Sequence, residues 1–202
     1  MSRLGPLHEQ RMDAVMAELR GAGVCSVMDL GCGSGLLLAR LLADARFLRV
    51  LGMDASAVAL QVVRRHLLDG RVADEARLVL VHGSYTDGDP GLAGYEAATL
   101  VETIEHLEPG RLSRLEQAVF VRAAPGRVIV TTPNADYNPL YGLEPGGRRD
   151  PDHRFEWGRE RFRAWAGGLA RRNGYALRLA GIGEPDPALG APTQMAVFSR
   201  QG

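Results

Sequence analysis

Apolar residues along the chain follow two alternating patterns, helical spacing and short continuous runs. Residues 7–21 have apolar positions at helical spacing and are closed by glycines, which predicts an N-terminal helix within residues 1–23. Apolar runs typical of buried strands then cover 24–30, 47–53, 78–81, 97–101 and 128–131, separated by helical spacing over 36–42, 58–68 and 112–121. This alternation predicts right-handed βαβ units in an α/β fold, with a mostly parallel sheet that carries helices on both faces.

The alternation stops after residue 131. Proline and glycine punctuate residues 132–152, and we expect a long active-site loop over 132–157, because a loop of this length inside a compact domain is usually a lid or a disordered insertion. A helix over 159–171 follows, and then strands over 175–182 and 194–199, which we predict to pair antiparallel at one edge of the sheet. A chain of 202 residues supports one sizeable domain, so we predict a single unit over 1–202.

Composition narrows the function classes. Basic and acidic residues balance at 24 each, all the basic ones being Arg, so no global basic field indicates a nucleic-acid partner. Cys25 and Cys32 match no metal-ligand spacing, which favours a reducing compartment. No apolar run has membrane-spanning length, and the N-terminal segment does not resemble a signal peptide. We therefore expect a soluble, cytoplasmic protein without membrane association, monomeric as an isolated domain.

Two carboxylates and an imidazole lie within five residues at the end of the predicted strand 97–101. If a helix begins at Glu102, then Glu102, Glu105 and His106 occupy positions i, i+3 and i+4 and share one face. Carboxylate and neutral imidazole groups that converge in this way suit Mn²⁺, Mg²⁺, Fe²⁺, Co²⁺ or Zn²⁺. The alternative interpretation is a solvated helix start, in which acidic residues complement the helix dipole.

A glycine-rich turn follows the first predicted strand. Gly31, Gly33 and Gly35 let the backbone approach a ligand closely between strand and helix, and Asp54 ends the next strand, where an acid can accept hydrogen bonds from ribose hydroxyls. Dinucleotide dehydrogenases and S-adenosylmethionine methyltransferases share this pairing. Position 36 is Leu, so the turn lacks the final glycine of the pyrophosphate-binding pattern, which favours the methyltransferases.

Asp29, which precedes this turn, also favours the methyltransferases. Asp29 suits a cationic aminoacyl group and is badly placed beside a pyrophosphate. The run Asp-Leu-Gly-Cys-Gly-Ser-Gly over 29–35 resembles motif I of class I methyltransferases. The resemblance covers nearly the whole chain and implies a Rossmann-like, seven-stranded fold with S-adenosylmethionine as cofactor; it places Ser84 near the adenine, with a strand-end cap as the alternative. The cofactor-binding residues predicted in this way are Asp29, Gly31, Gly33, Gly35, Leu36, Asp54 and Ser84.

Four further segments resemble one methyltransferase family. In chain order they read Val-Glu-Thr-Ile-Glu-His-Leu, Thr-Thr-Pro-Asn-Ala-Asp-Tyr-Asn-Pro-Leu, Asp-His-Arg-Phe-Glu-Trp and Pro-Thr-Gln-Met-Ala-Val-Phe. They are similar to the RNA 3′-terminal ribose 2′-O-methyltransferases, which comprise the small-RNA methyltransferases of eukaryotes and the catalytic domain of bacterial RNA-repair proteins. The resemblance implies a divalent ion, usually Mn²⁺, with Mg²⁺ or Co²⁺ as alternatives. The metal-ligating and catalytic residues that it implies are Glu102, Glu105, His106 and His153.

The resemblance also implies a substrate and a partner. An RNA 3′ end carries vicinal 2′ and 3′ hydroxyls, which can together chelate a divalent cation. The bound cation would stabilise the developing 2′ alkoxide. Bacterial members of the family carry an N-terminal half and work with a polynucleotide kinase-phosphatase. Nothing in this sequence matches that half, so we expect an excised C-terminal domain. His8, His66 and His82 are interpreted as ordinary polar residues.

Three features of the second half have two interpretations each. Asn134 is a candidate for contact with the substrate or with the metal's ligands, or it is a turn residue. The positive charge of the arginine-rich segment 148–172 has two interpretations: contact with an RNA backbone, or a solvated helix face with ordinary ion pairs. Phe155, Trp157 and Trp165 stack on a terminal base or anchor the loop in the core.

The leading hypothesis is metal-dependent methylation of the 2′-hydroxyl at RNA 3′ ends, which would protect small or repaired RNAs. The nearest alternative is a metal-independent small-molecule S-adenosylmethionine methyltransferase. An NAD-binding oxidoreductase is disfavoured by Asp29 and Leu36. A non-catalytic RNA-end-binding subunit would bind RNA without turnover.

Overall fold

The computed structural model describes residues 5–69 and 76–201, and its elements follow the predicted alternation. The strands are β1 (Ser26–Leu30), β2 (Arg49–Asp54), β3 (Leu78–His82), β4 (Ala97–Val101), β5 (Arg127–Pro133), β6 (Tyr175–Ile182) and β7 (Thr193–Arg200). The helices are α1 (Pro6–Gly21), α2 (Leu36–Ala43), α3 (Ala57–Val63), α4 (Leu112–Leu115) and α5 (Arg159–Asn173). Two π-helical segments, Arg64–Asp69 and Glu116–Ala123, continue α3 and α4.

The described strands form one seven-stranded sheet in the order β3-β2-β1-β4-β5-β7-β6. The strands β1 to β5 are parallel, and β7 pairs antiparallel with both β5 and β6. The predicted antiparallel pair at the sheet edge is therefore confirmed. The strand order reverses at the adjacent strands β1 and β4, which places a ligand crevice beyond their carboxyl ends.

Two apolar clusters cover the two faces of this sheet. The first contains buried side chains of α1, α2 and α3 with alternate residues of β1 and β2, such as Val27 and Val50. The second contains side chains of α4 and α5 with the other alternate residues, such as Met28 and Leu51. Burial on both faces explains why the parallel strands read as continuous apolar runs.

The predicted loop over 132–157 is more regular than expected. The strand β5 continues to Pro133, and a 3₁₀ helix, Ala135–Tyr141, follows it. An isolated bridge between Asn134 and Trp157 joins the two ends of the segment. The boundary at residue 132 is wrong because β7 pairs with β5 as far as Pro133, and this long-range pairing has no local sequence signal.

None of the helices in the described part of the chain combines the length and the apolar character that a membrane crossing requires.

Candidate active site

The glycine turn after β1 is tied to the end of β2 and packed against the turn after β4. The backbone N–H groups of Gly31 and Cys32 donate to the carbonyl of Met53 at 2.8 and 3.0 Å. Gly31 has φ +83°, and a Cβ there would lie 2.3 Å from Oγ1 of Thr103. Glycine is therefore required at this position by both backbone conformation and space.

The other two glycines have different roles. At Gly33 a Cβ would meet nothing within 4 Å, so this part of the turn borders open space. At Gly35, where α2 begins, a Cβ would lie 2.9 Å from Val63, so this glycine allows α3 to pack against the turn. Gly33 thus fits a ligand contact, whereas Gly35 is explained by packing.

The two acids predicted for the cofactor are already oriented by hydrogen bonds. Asp54 accepts from the backbone N–H groups of Gly33 and Ser56, both at 2.8 Å. Asp29 is buried and accepts from Oγ1 of Thr99 at 2.8 Å. Burial raises the pKa of Asp29 to about 7, even though the Thr99 hydrogen bond opposes the shift. A cationic ligand group beside Asp29 would stabilise its ionised form.

Two cavities meet at this turn. One, of about 440 Å³, lies between the ends of β1, β2, β3 and β4, within the size range of small-molecule sites. The other, of about 210 Å³, lies between the turn and α1. Of the predicted cofactor residues, the first cavity is lined by Gly31, Gly33, Asp54 and Ser84, and the second by Asp29, Gly31, Gly33 and Leu36. Their shared glycines fit one elongated ligand across both.

Ser84 lines the 440 Å³ cavity, but its hydroxyl is already paired. Its Oγ is 2.8 Å from Oγ1 of Thr86 and also accepts from the backbone N–H of Thr86 at 3.3 Å. These contacts are those of a strand-end cap. Ser84 therefore lines the cleft while its polar atom serves the turn after β3.

The turn after β4 differs from the predicted helix. Glu102 has φ +51°, in the left-handed region, and only a short 3₁₀ turn, Ile104–His106, follows. The backbone N–H of Glu102 donates to the carbonyl and to Oγ1 of Thr131, both at 3.1 Å, which holds the start of the turn against β5. The condition that a helix begins at Glu102 is therefore not met, and Glu102, Glu105 and His106 do not share a helical face.

Three of the four predicted ligands nevertheless come together. One donor atom each of Glu105, His106 and His153 lies within 4.8 Å of the other two. The two imidazole rings are in edge contact, with centroids 4.8 Å apart. The loop that carries His153 docks on the turn through the backbone, because the N–H groups of Arg154 and Phe155 donate to the carbonyl of Glu105 at 2.7 and 3.4 Å. We call Glu105, His106 and His153 the three-ligand cluster.

The chemistry of this cluster fits a cation. Glu105 is fully buried and its Oε2 accepts from Oγ1 of Thr132 at 3.0 Å, while its Oε1 has no hydrogen-bond partner among the described residues. Burial, reinforced by the charge of Glu102, holds the pKa of Glu105 well above its usual value. Burial and His153 lower the pKa of His106, which favours the neutral imidazole that metals bind. An unpaired buried oxygen beside two imidazoles is a donor set for a divalent ion.

Glu102, the fourth predicted ligand, is not a member of this cluster. Its Oε2 forms an ion pair with Arg11 of α1 at 3.0 Å, and its Oε1 accepts from Oγ1 of Thr131 at 2.9 Å. Arg11 also donates from Nε to Oγ1 of Thr193 in β7 at 2.9 Å. No sequence signal singled out Arg11, because the pairing joins residues far apart in the chain.

The remaining candidates have structural partners. The amide of Asn134 donates to the carbonyls of Leu189 and Ala191 and accepts from the backbone N–H of Asp136, which favours its interpretation as a turn residue. Phe155 and Trp157 are buried and stack with centroids 4.3 Å apart, as expected for anchors of the loop. In the segment 148–172, ion pairs with acids are made by Arg154, Arg159 and Arg172.

Comparison with known proteins assigns the fold. Residues 28–126 match the family described as "Methyltransferase domain". The crystal structure of the methyltransferase domain of bacterial CtHen1-CN is 40% identical, with a TM-score of 0.86, over 96% of this chain and 99% of that chain. Sheet order, glycine turn and these matches define a class I S-adenosylmethionine-dependent methyltransferase domain.

Curated relatives narrow the class to one family. The small RNA 2′-O-methyltransferase of Xenopus tropicalis is 34% identical over 96% of this chain and 55% of its own length, and that of Rattus norvegicus is 32% identical over 98% and 52%. The crystal structure of small RNA methyltransferase HEN1 is 29% identical with a TM-score of 0.89, over 100% of this chain and 27% of that chain. The chain belongs to the Hen1 methyltransferase family. It spans about half the length of these curated relatives.

A further solved structure shares the fold at lower identity. A chain in the Pnkp1/Rnl/Hen1 RNA repair complex is 22% identical, with a TM-score of 0.73, over 98% of this chain and 42% of that chain.

Proposed function

We propose that this domain transfers a methyl group from S-adenosylmethionine to the 2′-hydroxyl of the 3′-terminal ribose of RNA, and that it requires a divalent cation for this reaction. The observation that carries the proposal is the grouping of Glu105, His106 and His153, whose ligand atoms lie within 4.8 Å of one another. Oε1 of the buried Glu105 has no hydrogen-bond partner among the described residues. Mn²⁺ is the expected ion, with Mg²⁺ or Co²⁺ as alternatives, since the donors are one oxygen and two imidazole nitrogens.

The three-ligand cluster lies at the edge of the 440 Å³ cavity. His106 belongs to the three-ligand cluster and also lines the 440 Å³ cavity, together with Gly33 and Asp54. A substrate hydroxyl at His106 would therefore lie next to a cofactor on the glycine turn. This proximity supports transfer between the two.

Each group of the chain has a defined task in this proposal. Asp29 balances the ammonium of the cofactor's aminoacyl group, and Asp54 accepts hydrogen bonds from its ribose. Glu105, His106 and His153 hold the cation, which when bound supplies the positive charge that favours ionisation of a ribose hydroxyl. Glu102 stays a predicted fourth ligand, engaged here by Arg11 and Thr131.

RNA as the substrate is supported by the names of the curated relatives. A ribose at an RNA 3′ end differs from internal ribose by its free 3′-hydroxyl beside the 2′-hydroxyl. Recognition through this pair of hydroxyls needs no contact with the base, so we expect little sequence preference.

One assay tests the proposed function. The domain is incubated with labelled S-adenosylmethionine, Mn²⁺ and a short RNA that ends in ribose or in 2′-deoxyribose. We expect label only in the ribose-ended RNA, complete loss in EDTA, and loss in the His153→Ala variant. His66→Ala is the matched control, because His66 is an exposed histidine of the segment after α3.

The alternatives give different results in the same assay. A metal-independent methyltransferase would retain activity in EDTA and in His153→Ala, and either result contradicts the proposal. An RNA-end-binding subunit would bind the RNA without transfer of label at any Mn²⁺ concentration.

We propose further that a polynucleotide kinase-phosphatase is the partner of the protein that carries this domain. The fold likeness to a chain of the Pnkp1/Rnl/Hen1 RNA repair complex is consistent with this partner. Co-purification of this protein with a polynucleotide kinase-phosphatase tests the proposal, and independent migration of the two proteins contradicts it.

A further inference from the structure

A buried carboxylate contacts the imidazole of His153. One oxygen of Glu156, three residues later in the chain, lies 2.6 Å from Nδ1 of His153. The side chains are 9% exposed for His153 and 2% exposed for Glu156. A carboxylate can only accept, so the proton of the neutral ring lies on Nδ1 and the lone pair lies on Nε2.

Glu156 is itself held by other parts of the loop. The same oxygen, Oε1, accepts from the backbone N–H of Arg149 at 2.7 Å, and Oε2 accepts from Nδ2 of Asn138 at 2.7 Å. The guanidinium of Arg149 donates from Nε to Oδ1 of Asn138 at 2.7 Å and so closes the network. The position of the carboxylate is thus fixed by protein groups.

The backbone around His153 is fixed as well. Nη1 of Arg148 donates to the carbonyl of His153, and the next backbone N–H, of Arg154, donates to the carbonyl of Glu105. The ring of His153 is also in edge contact with that of His106, with centroids 4.8 Å apart. The loop therefore fixes both the backbone and the ring of His153 beside the turn that carries Glu105 and His106.

We infer that Glu156 is a positioning residue, which fixes the Nδ1-protonated tautomer and the orientation of His153 and so presents Nε2 to the divalent cation. The inference rests on the cation site of the proposed function. Glu156 does not touch the ion; it acts through His153. Carboxylates placed in this way make the imidazole more basic and so a stronger metal ligand. Their removal commonly lowers metal affinity by about 10- to 100-fold.

A purely structural role makes a different prediction. If Glu156 only joined the loop to Arg149 and Asn138, its replacement would change stability while leaving the tautomer of His153 and the affinity for the ion unaltered. Metal affinity and tautomer therefore separate the two roles, and neither requires the methyl-transfer reaction.

The first experiment measures Mn²⁺ binding to the whole domain by electron paramagnetic resonance of the free ion, without RNA or cofactor. In Glu156→Gln, which keeps the shape and removes the charge, we expect the dissociation constant to rise at least about tenfold. Binding of S-adenosylhomocysteine, measured by calorimetry, should stay within about twofold. Glu160→Gln is the matched control, because Glu160 is exposed in the first turn of α5.

Two results of this experiment have distinct meanings. A Mn²⁺ dissociation constant for folded Glu156→Gln within twofold of the unchanged protein overturns the inference while the proposed cation site stands. Failure of the unchanged protein to bind Mn²⁺ overturns the cation requirement of the proposed function.

The second experiment needs no variant of Glu156. Long-range ¹H–¹⁵N spectra of the metal-free domain report the tautomer of each histidine, and the signals of His153 are those lost in His153→Gln. We expect a protonated Nδ1 and an unprotonated Nε2. The opposite tautomer, or rapid exchange between the two, would overturn the inference even if Glu156→Gln does not fold.

Discussion

Arg11 of the first helix and Glu102 at the end of β4 form an ion pair at 3.0 Å, with side chains only 14% and 18% exposed. Arg11 also binds Thr193 of β7, so one guanidinium connects α1 to two strands beside the cleft. The partner carboxylate follows the strand that borders the three-ligand cluster. The N-terminal helix is thus joined electrostatically to the edge of the candidate active site.

The first prediction follows from this pair. Replacement of Arg11 by Met leaves Glu102 without its partner in a mostly buried position, so the free energy of unfolding in urea should fall by about 3 kcal/mol. The double variant Arg11→Met, Glu102→Gln should recover most of this loss, because the unpaired charge is gone. As control, Arg40→Ala removes the more exposed pairs with Glu9 and Asp13 and should cost about 1 kcal/mol or less. Equal losses in the single and double variants would contradict the coupling.

The second prediction compares two glycines of one turn. Gly33→Ala should lose about 1–2 kcal/mol of stability, because alanine disfavours the positive φ at this position. No steric clash adds to this loss, because the added Cβ would have free space. Gly31→Ala should lose more, because its Cβ would lie 2.3 Å from Oγ1 of Thr103, and the added change Thr103→Ala should restore part of the difference. Thermal unfolding measures the stability of both variants.

The same pair of variants tests the cofactor site. Of the two, only Gly33→Ala adds a methyl group to open space in the cleft, so calorimetry should show weaker binding of S-adenosylhomocysteine to this variant. Unaltered binding would be evidence against a cofactor at Gly33.

The third prediction concerns pH. Burial raises the pKa of Asp29 to about 7 from 3.8, so the folded protein retains a proton that the unfolded chain has already lost. The contribution of Asp29 to stability is therefore largest below about pH 4 and declines as pH rises to about 7, by about 4 kcal/mol in all. Asp29→Asn lacks this titration.

Urea unfolding from pH 4 to pH 8, without cofactor, tests the shift. The difference in unfolding free energy between Asp29→Asn and the unchanged protein should move in favour of the variant as pH increases. A difference that does not depend on pH would show that Asp29 titrates normally.

The fourth prediction concerns the hydroxyl that supports Glu105. Thr132→Val preserves shape and removes the donor to Oε2, so the carboxylate loses its orientation and the affinity for Mn²⁺ should fall by about tenfold. Thr132→Ser retains the hydroxyl and should bind Mn²⁺ nearly as well as the unchanged protein. Equal affinities of the Val and Ser variants would exclude this role of Thr132.

Sequence patterns predicted the fold well because the parallel strands are buried on both faces. Each apolar run became a strand, and the final pair of strands is antiparallel as expected. Patterns did not separate α-helical from π-helical turns after α3 and α4, since a few residues cannot distinguish such similar periods. They also missed the extension of β5 to Pro133, which depends on pairing with β7.

The residue types of the site were predicted better than their partners. Glu105, His106 and His153 meet, but the pairing of Glu102 with Arg11 depends on an approach of distant segments that no local pattern contains. The contact between His153 and Glu156 is different. Its spacing of three residues is visible in the sequence, and a search for a carboxylate near each candidate ligand would have found it.

The central claim is that Glu105, His106 and His153 bind one divalent cation. Crystals of the domain grown with Mn²⁺, with data collected at the manganese absorption edge, test it directly. We predict one anomalous peak bonded to Glu105 and to both imidazoles, with His153 coordinating through Nε2. A map without a peak between these three side chains, or with His153 turned away from it, would contradict the claim.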